Sequence, residues 1–223
     1  AAFQEVKVLR PHDRAVRPLI AEARLACGQI HAALVELEAL PGAVDTPGGH
    51  LAAARVHRAL GNTEQALISA TAAVWAACVN RSASSADTLL FAAGLFLEWG
   101  QHEMAAQALH ELLAISPADY RAYLLRARQA LAGNDVQAAL DAAWQAVGLV
   151  PDSAATRQAL AEALYKTGDF AASLVHWQRA VAIDPCPATQ AKLAETALAA
   201  GQAELSLEVA RVLLVNPDAA DVN

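Results

Sequence analysis

His50 and His57 stand seven residues apart and are the nearest approach in this sequence to a metal-binding or acid–base pair. Imidazoles bind zinc and move protons near neutral pH. A zinc pair on a helix, however, uses positions i and i+4 with a third ligand close by. The wider spacing sets both histidines on the face toward a paired helix, so they read as core or rim side chains. His102 and His110 read as exposed. Cys27, Cys78 and Cys186 are odd in number, far apart and without a C-x-x-C pair. That argues against a disulfide framework or zinc site and in favour of three small apolar side chains in or near the core. No G-x-S-x-G, P-loop or G-x-G-x-x-G occurs, and the Pro47–His50 run PGGH reads as a turn. Asn80-Arg81-Ser82 matches a glycosylation acceptor, which matters only in a secreted eukaryotic protein. Trp75, Trp99, Trp144 and Trp177 could stack on sugars or bases only if they shared one stripe. They fall in different columns of the pattern below, and Trp177 reads as core. No nucleophile, base and acid converge, so no catalytic residue, metal or cofactor is expected.

The bulk properties narrow the partners. Sixteen Lys+Arg against 23 Asp+Glu give a net charge of -7. That balance disfavours nucleic acid or an anionic membrane as the main partner. Hydrophobic residues make up 56% of the chain, much of it alanine. Charges or breaks interrupt every apolar run of membrane-spanning length, so no direct membrane insertion is expected.

The elements that must position any site are set by a ladder. Gly28, Gly61, Gly100, Asn134, Gly168 and Gly201 are 33, 39, 34, 34 and 33 residues apart. Glycine turns a helix back by taking a left-handed backbone, and asparagine tolerates it best among the others. Seven residues before each pivot stands Ala21, Ala54, Ala93, Ala127, Ala161 or Ala194. Five after it stands Ala33, Ala66, Ala105, Ala139, Ser173 or Ser206. Twelve after it stands Leu40, Ala73, Leu112, Ala146, Ala180 or Leu213. Small residues at these columns let two antiparallel helices approach closely. Phe96, Leu109, Leu160, Leu164, Trp177 and Leu193 fill the remaining space. Pro117, Pro151, Pro185 and Pro217 close the second helices. First helices are predicted near 15–27, 48–60, 86–99, 120–132, 154–167 and 187–200. A fixed period of this length is the mark of a helical repeat array.

The pattern resembles the tetratricopeptide repeat family over essentially the whole chain. The best single copy is ATRQALAEALYKTGDFAASLVHWQRAVAIDP, Ala155 to Pro185, with its YKTGDF turn, WQRAV second helix and closing IDP. The resemblance implies an all-α, α-α superhelix, a right-handed solenoid of six hairpins. The copies are 14–46, 47–80, 86–119, 120–153, 154–186 and 187–219. Residues 1–13 read as the end of a preceding partial repeat, and the chain reads as an internal segment of a longer protein. The spacing of 39 leaves Arg81–Ser85, RSASS, as an inserted polar loop, with Ser85 able to cap the next helix. Pro41 after Leu40 ends the first copy's second helix early. Arg126 occupies a column that is usually leucine.

In the family the first helices line the inner, concave wall. The resemblance therefore implies a partner-binding wall of Arg55, Arg58, Leu90, Phe91, Gly94, Leu97, Arg121, Leu124, Arg128, Leu131, Gln158, Glu162, Tyr165 and Lys166. Leu90, Leu97, Leu124 and Leu131 form its apolar middle, and Leu90, Leu97, Leu124 and Arg128 are expected to share one continuous face. Relatives that grip a chaperone's terminal carboxylate use paired asparagines. The matching positions here, Leu51, Leu90 and Leu124 with Arg55, Gly94 and Arg128, contain none. Four arginines beside an apolar strip suit instead a protein or peptide segment with apolar anchors and some acidic residues. The implied function is a protein-interaction scaffold in a bacterial assembly, secretion or polysaccharide-export system. The alternatives are the substrate-recruiting arm of a glycosyltransferase, sulfotransferase or hydroxylase, and a homo-oligomeric structural array.

Overall fold

The computed structural model describes residues 16–39, 45–80 and 83–215. Among these residues there are twelve α-helices and no strand. They form six hairpins: α1 (Val16–Ala26) with α2 (Ile30–Glu38), α3 (Pro47–Ala59) with α4 (Thr63–Asn80), and α5 (Ala83–Glu98) with α6 (His102–Ile115). Then come α7 (Tyr120–Ala132) with α8 (Val136–Leu149), α9 (Ala154–Thr167) with α10 (Phe170–Ile183), and α11 (Pro187–Ala199) with α12 (Ala203–Val215). The chain divides after Pro117 into two compact units of three hairpins each.

The pivots do what their residue types require. Gly168 stands at φ 85° and Asn134 at φ 58°, both left-handed. The turn satisfies carbonyls the first helix leaves open: the Asp169 amide donates to Leu164 O at 3.1 Å and the Asp135 amide to Ala130 O at 2.8 Å. Two of the second helices, α8 and α10, start on a side-chain cap. Asp135 accepts from the Ala138 amide and Asp169 from the Ala172 amide, both at 3.0 Å.

The core of each unit follows the alanine columns. Ala21, Ala54, Ala93 and Ala161 are fully buried, as are Ala33, Ala66, Ala105 and Ala139. Leu160, Leu109, Phe96 and Trp177 fill the space around them and are buried. In the first unit α3 packs on both α1 and α5, and in the second α7 packs on α9, so first helices also stack on first helices. Only the sixth copy is looser, with Ala194, Ser206 and Leu213 half-buried. Among the described residues no further hairpin covers it. Ser173 shows how a polar residue fits such a column: its buried hydroxyl donates to Ala161 O at 2.7 Å. Replacing Ala161 with leucine should overpack this crossing and cost roughly 1–3 kcal/mol. The same change at Ala155, which is exposed at the start of α9, should cost far less. Thermal melts of the two variants check this, and equal midpoints would contradict the register.

Several expectations shift locally. Helix α5 starts at Ala83, so Ser85 lies inside it and is buried rather than capping it. Of the RSASS segment only positions 81 and 82 precede the helix, and they lie outside the described residues. The PGGH run is the first turn of α3, not a free turn: Thr46 caps it by accepting from the Gly49 amide at 3.0 Å, and Pro47 sits in the first turn. Arg126 is exposed, so α7 turns that column to solvent and keeps the predicted bounds. Cys27 is exposed, while Cys78 and Cys186 are half-buried. The partial repeat at 1–13, Leu40, Pro41 and Pro217 lie outside the described residues.

Candidate partner-binding wall

In the first unit one arginine ties together three successive first helices. Arg55 of α3 donates to Glu22 Oε1 of α1 at 2.7 Å. Its guanidinium lies 4.7 Å from the ring centroid of Phe91 on α5. Arg58, one turn further along α3, pairs with Glu98 of α5 at 2.9 Å. Leu25, Arg55, Arg58, Ala59 and Phe91 line an open groove of about 330 Å³. Leu90, Phe91 and Leu97 on α5 are half-buried. A Cβ added at Gly94 would meet nothing within 4 Å, so the helix surface there faces open space.

In the second unit the equivalent surface is more polar. Glu162, Tyr165 and Lys166 of α9, Trp177 of α10, and Lys192, Glu195 and Thr196 of α11 line a small hollow of about 100 Å³. Lys192 donates to Glu195 at 2.9 Å, and that bond raises its pKa above the ordinary lysine value. Tyr165 packs edge-on against Phe170, centroids 5.1 Å apart. Gln158 donates to Thr189 Oγ1 at 2.9 Å, and Cys186 Sγ lies 2.8 Å from the same oxygen. Gln158 is therefore committed to joining two repeats. Leu124 and Leu131 are half-buried, with Leu131 packed against the core of the unit, and Arg128 is exposed.

The arginines differ from expectation. Four arginines suit the acidic groups of a partner, but three have acids in the chain itself. Arg55 holds Glu22, Arg58 holds Glu98, and Arg121 holds Asp119 at 2.8 Å. The Arg121 bond also keeps the Asp119 carboxyl below the usual aspartate range. Arg128 makes no ion pair among the described residues. Sequence reasoning did not single out Glu22, Glu98 or Asp119. Glu22 carried a signal: like Arg55 it stands six residues before a pivot, and within the first unit residues of one column in successive copies become neighbours.

His50 and His57 are half-buried. Burial lowers the His50 pKa against an opposing pull from Asp45, and His57 Nδ1 is buried without a hydrogen-bond partner. Among the described residues no three His, Cys, Asp or Glu side chains come together as metal ligands. His102 and His110 are exposed. Trp75 is 72% exposed and Trp144 is 49% exposed, one in each unit, while Trp177 is core. Among the described residues no helix is long and apolar enough to cross a membrane.

No protein-family model and no curated protein matches the sequence. The structure, by contrast, is similar to many solved ones. PilW, a widely conserved type IV pilus biogenesis factor, superposes with a TM-score of 0.78 at 14% identity, over 91% of this chain and 93% of that one. The pilF protein of Pseudomonas aeruginosa gives 0.73 at 16% identity, over 92% and 91%. A tetratricopeptide repeat protein from Parabacteroides merdae gives 0.72 at 16% identity, over 89% and 78%. With its helical hairpins turned at left-handed pivots and this likeness to solved structures, this chain has the all-α fold of the tetratricopeptide repeat.

Proposed function

We propose that the chain is a protein-interaction scaffold whose first helices hold an extended or helical segment of a partner protein. The observation that carries this reading is the state of the wall. Leu90, Phe91 and Leu97 in the first unit, and Leu124 in the second, stay half-buried on helices whose opposite faces are fully packed. Apolar surface left at such positions is where partners anchor. The chemistry of the partner follows from the charges. With Arg55, Arg58 and Arg121 already paired, apolar anchors supply the affinity and one acidic group opposite Arg128 sets orientation and encounter rate. Likeness to pilus biogenesis factors supports a bacterial assembly machine as the setting.

The test is capture of partners from native lysate by the parent chain and by variants. Leu97→Ser with Leu124→Ser should weaken capture roughly tenfold or more, as expected when anchors worth about 2 kcal/mol are lost. Helicity should stay near the parent's, because both side chains lie outside the alanine columns. Arg128→Glu should weaken binding and flatten its dependence on salt. If both variants keep the parent's partners, the wall is not the binding surface.

A further inference from the structure

In the second unit, where α8, α9 and α10 pack together, a cationic cluster gathers around an exposed tryptophan. Trp144 of α8 and His176 of α10 meet edge-on with ring centroids 5.8 Å apart. Arg157 of α9 reaches the same imidazole, with Nη1 3.4 Å from Nδ1, while its Nε donates to Pro151 O at 2.9 Å. Arg179 follows His176 by three residues, one helical turn away and exposed. Four residues before Arg179, Val175 is 54% exposed. Most arginines of the chain's first helices have acids, yet Arg157 and Arg179 make no ion pair among the described residues. In a chain of net charge -7, an uncompensated pair of guanidiniums is a local reversal of the field.

We propose that Arg157, Arg179 and His176, with Trp144 beside them, form a second docking site that takes a short acidic peptide segment with apolar neighbours. The charge calls for carboxylates, which guanidiniums bind through planar pairs of hydrogen bonds. The exposed Trp144 and Val175 call for aliphatic side chains between the carboxylates, which a free inorganic anion lacks. His176 makes the site pH-dependent. Burial first, then Arg157 and Arg179, hold its pKa below the ordinary imidazole value. An acidic ligand offsets the two arginines, so binding favours the protonated ring. Affinity therefore rises as pH falls through the histidine's range, below about 6.5.

The experiment titrates the full chain with an acetylated, amidated peptide of alternating leucine and glutamate, and separately with inorganic phosphate. The readouts are tryptophan emission and the His176 ring-proton shift in NMR. The peptide should quench or shift emission, raise the His176 pKa, and bind several-fold more tightly at about pH 5.5 than at about pH 7.5. Trp144→Phe should remove the emission change, and Trp75→Phe should leave it. Arg157→Gln with Arg179→Gln should abolish peptide binding and by itself move the His176 pKa up toward its ordinary value. Arg157 also bonds a backbone carbonyl, so Arg179→Gln alone serves as the second variant and should weaken binding with helicity unchanged. A response to phosphate equal to that to the peptide, or peptide binding undiminished in the arginine variants, overturns the proposal.

Discussion

Replacing Phe96 with alanine is expected to destabilise the first unit by roughly 3–5 kcal/mol, the usual range for emptying an aromatic site in a packed core. Phe96 is 1% exposed and lies on α5, which packs on α3, α4 and α6. The hairpin joint is rebuilt on its backbone as well, since the Gln101 amide donates to Phe96 O at 2.8 Å. In a repeat array each unit is held by its own core and its neighbours, so the loss concentrates locally. Urea unfolding followed by circular dichroism should show the change as a lowered midpoint or a separate early transition. Phe91→Ala is the comparison. It removes the same side chain from a half-buried position on the same helix and should cost much less. Equal losses for the two variants would mean that the two faces of α5 have been assigned the wrong way round.

The second large effect concerns charge. Glu36 of α2 is 3% exposed and receives Arg17 and Arg24 of α1, the latter at 3.1 Å. Glu36→Ala should cost about 3 kcal/mol, because it leaves two guanidiniums facing each other beside the core. The value sits at the low end of the range for broken buried pairs, since Arg24 is a quarter exposed and can turn to water. Replacing Arg17, Arg24 and Glu36 together with leucine should restore most of the loss, because desolvation of the charges then disappears with them. A triple variant as unstable as Glu36→Ala would show that packing, not charge, is what Glu36 supplies. Stability by denaturant titration decides.

The predicted first-helix bounds of α7 and α9 match the observed ones, and the reason is local. Pivots that need a left-handed backbone, prolines that stop a helix and small residues at the helix crossing are each set by short-range sterics. They can be read one residue at a time. The start of α5 could not be read this way. Ser85 has the local preference of a helix cap, yet it lies buried inside the helix, where packing overrides that preference.

By itself, then, the sequence determined the period, the hairpins, the core columns and the first helices on which the proposed wall lies. Only the tertiary structure decided which charged groups on that wall are free. Glu22 and Arg55 are 33 residues apart and Arg58 and Glu98 are 40 apart, and whether they bond depends on side-chain reach across packed helices. The same holds for Gln158, which reads as a binding residue in its column but spends its amide on Thr189 of the next repeat. Arg157 and His176, brought together from two helices of one hairpin, were invisible for the same reason. A backbone turn is dictated by the residue that makes it, whereas a side-chain partnership is set by which long chains meet once the helices have docked.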